Sequence, residues 1–145
     1  MLGTNDSKKP NWNKESYEKD LTDLIKSYKD LPSRPDIYLM IPPRALPTAA
    51  ALNNMQIQRD VVADDIPEIM RKISTNLKTK LISLSNLFIT TNDPDYIFEK
   101  SEPGYWTYDG VHPNDRGYKI IADFVYKSFN RKTYYGKLIP SNDEE

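Results

Sequence analysis

The sequence contains one histidine, His112, and an aspartate stands three residues before it in Asp109-Gly110-Val111-His112-Pro113-Asn114. An imidazole can take up a proton near neutral pH. A carboxylate at this spacing can accept a hydrogen bond from one ring nitrogen, fix the tautomer, and turn the other nitrogen toward a proton donor. The pair is therefore a candidate general base with its orienting group on a single loop. Pro113 stiffens the chain just after His112. Asn114 is a helix-capping residue type, so the loop is expected to open a helix that anchors it. Ester hydrolysis through a serine needs such a pair, an exposed hydroxyl, and donors for the oxyanion. The competing reading is an ordinary Asp-Gly turn that happens to carry a surface histidine.

The elements that must position this loop can be read from hydrophobic spacing. Asn13 can cap a helix over residues 14–28, with Tyr17, Leu21, Leu24, Ile25 and Tyr28 on one face. Leu31-Pro32-Ser33-Arg34-Pro35 ends it. The run Ile37-Tyr38-Leu39-Met40-Ile41, stopped by Pro42-Pro43, is apolar on both faces and suits a parallel strand buried between helices. Residues 42–54 read as irregular, and a helix is expected over residues 55–77. Pro67 would either kink that helix or open a separate second half of it. Residues 80–84 read as a second strand, and residues 87–108 as a long aromatic-rich loop or short helix. A final helix follows Asn114 to about residue 130, with Ile120, Ile121, Phe124, Val125 and Phe129 directed inward. This alternation predicts an α/β sandwich with a parallel sheet. Two strands alone make a poor parallel sheet, so the layer reads as incomplete.

Composition narrows the remaining options. A chain of 145 residues fits one domain, and a formal net charge of −1 offers no basic field for nucleic acid. No apolar run is long enough to span a bilayer. The absence of cysteine excludes disulfides, thiol catalysis and thiolate metal sites, and one histidine makes a zinc site a poor expectation. Compartment and oligomeric state stay open.

The Asp109–Asn114 segment, followed by Gly117 and an amphipathic helix, resembles the last conserved block of the SGNH (GDSL-like) hydrolase family. Gly3-Thr4-Asn5-Asp6 resembles that family's Gly-x-Asn-Asp block. The intervening order of helices and strands also matches, so the resemblance covers nearly all of residues 1–129. It implies a three-layer α/β/α sandwich with a parallel, flavodoxin-like sheet, and serine ester hydrolysis with no metal or cofactor. It further implies that His112 is the general base, Asp109 its orienting carboxylate, and Asn5 an oxyanion donor through its side-chain amide. Gly3 would allow close backbone approach at that turn. The resemblance leans toward esterases that remove acetyl groups from carbohydrates. Arg44, just past the first strand, and Tyr105 and Trp106, just before the Asp–His loop, are then candidates for substrate contact.

The chain departs from the family in one respect. The nucleophile block of Gly-Asp-Ser type and the block supplying an oxyanion glycine are both absent. Ser7, Ser16, Ser27, Ser33, Ser74, Ser83, Ser85, Ser101, Ser128 and Ser141 all lack the flanking glycines of a nucleophile turn. The expectation is an N-terminally truncated SGNH-type domain over residues 1–130 with a mostly polar tail over 131–145, inactive by itself. The alternatives are a non-catalytic, degenerate SGNH domain that binds an acylated sugar or a partner chain, and a fragment from an incomplete gene model.

Overall fold

A computed structural model describes residues 1–46, 48, 50–88 and 105–129. The expected tail over 131–145 lies outside the described residues, as do Tyr96 and Phe98 of the aromatic-rich segment.

Helix α1 spans Lys14–Lys29 and begins where capping chemistry places it, with the Asn13 side chain accepting from the Ser16 N–H at 2.8 Å. Strand β1 is Tyr38–Ile41 and strand β2 is Lys80–Ser83. They pair in parallel, with Tyr38 opposite Lys80 and Ile41 opposite Ser83. Helix α2, Ile66–Leu77, connects them across one face, and helix α3, Asp115–Phe129, follows the Asp–His loop.

The pleat sorts the strand side chains into two cores. Leu39, Ile41 and Leu81 join Leu21, Ile25, Ile69 and Met70 of α1 and α2 in the larger one. Tyr38, Met40 and Ile82 face the other way, against Ile121, Phe124 and Val125 of α3. The result is a helix–sheet–helix sandwich, the α/β class expected from the alternation of elements.

Three expectations need correction. The helix expected over residues 55–77 starts at 59, and a widened turn, Val61–Asp65, precedes α2. There the Ile66 N–H reaches back five residues to the Val61 carbonyl. Pro67 follows directly and has no N–H to lose, so the helix can widen at this point at little cost. Pro67 thus opens α2 instead of kinking a longer helix. The stretch read as irregular contains a second turn of this kind, Ala50–Asn54. Burial on two helices also falls short. Leu24 and Tyr28 of α1 are 41% and 52% exposed, and of the inward-facing set on α3 Phe129 is exposed and the others only half-buried. Leu24 and Tyr28 border a groove of about 140 Å³ that also touches Met1, Leu2 and the strand residues Tyr38 and Met40. The described sheet has only two strands, so β1 carries no described neighbour on its outer side and these helix faces have no strand to cover.

Candidate active site

The Asp–His loop is built mostly by its own backbone. Asp109 Oδ1 accepts from the N–H groups of Val111 and His112 at 3.0 and 2.8 Å, closing a tight turn. Asp109 Oδ2 then meets His112 Nδ1 at 2.6 Å. The spacing of three residues brings the two groups together as the sequence implied. With Nδ1 occupied, Nε2 is the nitrogen that remains to take a proton, and the His112 side chain is 65% exposed. Burial pushes the Asp109 carboxyl upward. The N–H and imidazole of His112 and the N–H of Val111 outweigh that and hold it below its ordinary value. Asp109 is thus kept ionised, the state that orients and stabilises an imidazolium.

Anchors on both sides fix the loop. The Thr107 and Pro113 backbones bridge across its base, and the Asn114 N–H donates to the Trp106 carbonyl at 3.0 Å. Asn114 caps α3 as expected, its side chain accepting from the Gly117 N–H at 3.0 Å. Gly117 is needed there because a β-carbon would lie 2.2 Å from the Trp106 carbonyl oxygen. The glycine in the helix start therefore lets α3 close onto the loop. The segment leaving β1 supplies the third anchor, where the Leu46 N–H donates to the Gly110 carbonyl at 2.8 Å. The Asp–His pair accordingly lies against the chain that leaves the carboxyl end of β1, the position where parallel α/β sheets bind ligands.

The Gly3–Asp6 loop is ordered by other means. Gly3 has φ +124°, and a β-carbon would meet Ile66 Cδ1 and the Tyr17 hydroxyl oxygen, each at 2.9 Å. Close approach is therefore what this glycine allows. The Ser7 N–H donates to the Gly3 carbonyl at 2.9 Å, and the Gln58 N–H donates to the Ser7 carbonyl at 3.2 Å, tying the loop to the chain ahead of α2. Burial, with the Asp6 charge adding, pushes the Tyr17 phenol well above its ordinary value. Asn5 is exposed, and its carbonyl accepts from the Asn11 side chain at 3.4 Å. No hydrogen bond joins Asn5 to Asp109 or His112 among the described residues.

The other candidates separate by burial. Trp106 is 8% exposed, stacked on Phe88 at 6.1 Å and edge-on to Tyr105 at 4.5 Å. It packs the Asp–His loop onto the segment after β2, so a substrate contact by its ring would first require that packing to open. Tyr105 is partly exposed and carries the Arg116 guanidinium over its ring at 4.6 Å. Arg44 is exposed on the chain leaving β1. Among the serines, Ser7, Ser74 and Ser128 are buried and bond to backbone carbonyls, while Ser83 and Ser85 bond to each other at 2.8 Å. Ser101 and Ser141 lie outside the described residues. Among the described residues no cluster of three or more acidic, histidine or cysteine side chains is placed to hold a metal, and no helix is long and apolar enough to cross a membrane. The feature missed by sequence reasoning is Thr48, which reaches the Asp–His loop from far away in the chain. No local pattern announces such a contact.

A parallel sheet lies between helices, with a carboxylate–imidazole pair beyond its strand ends, an arrangement of the α/β class. The family model for GDSL-like lipase/acylhydrolase matches residues 1–125, and the chain belongs to that family. It is 29% identical over 142 residues to an acetylxylan esterase from Xylanibacter ruminicola, covering 86% of this chain and 26% of that protein. It also resembles the crystal structure of a GDSL-like lipase from Parabacteroides merdae, with a TM-score of 0.62 and 26% identity over 85% of this chain and 55% of that one. The chain thus spans about a quarter of the length of the curated relative and just over half of the solved neighbour.

Proposed function

We propose that these 145 residues form the base-bearing part of an ester hydrolase that removes O-acetyl groups from carbohydrate, and that by themselves they do not turn over esters through a serine. The observation that carries this reading is the 2.6 Å contact between Asp109 Oδ2 and His112 Nδ1, with the carboxylate held ionised. In the complete site, a serine hydroxyl oxygen attacks the acetyl carbonyl carbon while His112 Nε2 takes the hydroxyl proton. Asp109 stabilises the imidazolium that results. The Asn5 amide donates to the oxyanion. His112 then returns the proton to the departing sugar oxygen, leaving an acetyl-serine that water cleaves by the same base. The acetylxylan esterase relative supports the choice of acetylated sugar. Among the described residues no serine hydroxyl is hydrogen-bonded to His112, which supports the need for a nucleophile from elsewhere.

Two measurements test the reading. The purified chain should release no p-nitrophenol from p-nitrophenyl acetate beyond background. Clear turnover that disappears in His112→Ala would overturn the claim of inactivity. A chimera in which this chain replaces the matching part of the Parabacteroides merdae lipase should cleave the same ester. His112→Ala in that chimera should lower kcat by about a thousandfold or more. A folded, active chimera indifferent to His112→Ala would sink the assigned role of His112.

A further inference from the structure

We propose that Thr48 is a positioning residue for the Asp109–His112 pair, an inference that rests on the reading of that pair as a base and its orienting group. Thr48 lies on the chain leaving β1, 61 residues from Asp109. Its Oγ1 donates to the Asp109 carbonyl at 2.5 Å and accepts from the Ala51 N–H at 3.1 Å. The donor and an acceptor site of one hydroxyl are thus both used, which fixes the hydroxyl itself.

The geometry around Gly110 shows what this contact controls. The peptide between Asp109 and Gly110 has its carbonyl held by Thr48. Its N–H is held by the buried Thr107 Oγ1 at 2.9 Å. The next carbonyl, that of Gly110, is held by the Leu46 N–H. Two hydroxyls from opposite sides therefore set the plane of the peptide that follows the Asp109 α-carbon. That plane sets the direction in which the carboxylate leaves the backbone. The internal hydrogen bonds of the loop pair Asp109 with His112, but they do not fix the pair relative to the sheet. Thr48 adds to the Leu46 anchor on the strand side, and its contact acts on the Asp109 carbonyl itself. Gly110 is shaped to admit it: φ is +95°, and a β-carbon at that position would lie 2.4 Å from Thr48 Oγ1. Orientation of a base within a fraction of an ångström is what such contacts contribute to catalysis.

The single histidine makes a direct test possible in the 145-residue chain, because its imidazole gives the only histidine signals in an NMR spectrum. Nitrogen chemical shifts report the tautomer, and exchange of the Nδ1 proton with water reports its hydrogen bond to Asp109. Thr48→Val should accelerate that exchange about fivefold or more and weaken the tautomer preference, while Thr48→Ser should stay within about twofold of the parent. If Thr48→Val does not give a folded spectrum, Thr48→Ala serves in the same measurement. A variant that melts earlier but leaves the imidazole signals unchanged shows a merely structural threonine and overturns the proposal. Asp109→Asn separates the two levels. If it leaves the imidazole unchanged, the reading of the pair fails. If it alters the imidazole and Thr48→Val does not, only the role of Thr48 fails.

Discussion

The loop that carries Asp109 and His112 and the loop that carries Gly3 and Asn5 were both expected to contribute to one site, and they are built on opposite principles. The first closes on itself. A carboxylate accepts from two backbone N–H groups and an imidazole within four residues, and the surrounding chain only registers the finished unit. The second has no such internal centre. Its glycine packs against Ile66 and Tyr17, its far end is tied to Gln58, and the functional candidate Asn5 stays exposed. A carboxylate–imidazole contact can be encoded locally because one short turn supplies both partners. An oxyanion site needs donors from separate segments aimed at one point, so it depends on how the whole sheet is assembled.

The glycines give the sharpest way to break this comparison. Gly110→Ala combines a left-handed backbone with a clash against Thr48 and the Leu46 carbonyl, and should cost about 3 kcal/mol in urea unfolding. Gly3→Ala also strains a positive φ, but it meets only side-chain atoms of Ile66 and Tyr17, at 2.9 Å or more, and no backbone. Its expected cost is smaller, about 1–2 kcal/mol, and it should leave the imidazole signals of His112 untouched. Equal costs, or a His112 response to Gly3→Ala, would show that the two loops are mechanically one unit.

Asn114→Ala should cost about 1 kcal/mol through loss of the α3 cap, read as a lower melting temperature. It should also loosen the Asp–His loop, because the same residue joins helix and loop; a purely local fraying of α3 by hydrogen exchange would contradict that link. The smallest expected effect is of pH. The Asp109 carboxyl is held below its unfolded value, so its stabilising contribution is fully present above about pH 4 and is lost as pH falls through the lower folded value. Acid titration should therefore release amide protection at Val111 and His112. Asp109→Asn should abolish that acid step, and its persistence in the variant would assign the step to another group.

The groove beside β1 extends the contrast from loops to layers. Ile25 and Leu21 on α1 are buried, while Leu24 and Tyr28 on the same helix are exposed at its rim. The periodicity of α1 specifies which residues share a face. It cannot specify how far the sheet beneath that face extends. The neighbouring GDSL-like lipase is nearly twice as long as the part this chain matches, and the exposed residues border the outer side of β1 where the described sheet stops.

Much of the molecule was legible in advance wherever the cause is local. Asn13 and Asn114 cap their helices because a side-chain oxygen reaches an N–H three residues on. The two strands stand where short apolar runs end at Pro42 and after Ser83. Asp109 and His112 meet because a tight turn brings residues i and i+3 together. Other features escaped because their cause is not local. The burial of Trp106 depends on Phe88 reaching it from the end of β2. The hydroxyl that holds the Asp109 carbonyl comes from Thr48, across 61 residues. The sequence by itself determined that Asp109 and His112 meet, because the partners lie within one turn of chain. Only the tertiary structure decided how that pair is registered against the sheet, because the β1 exit and the Asp–His loop are neighbours in space through the folding of everything between them.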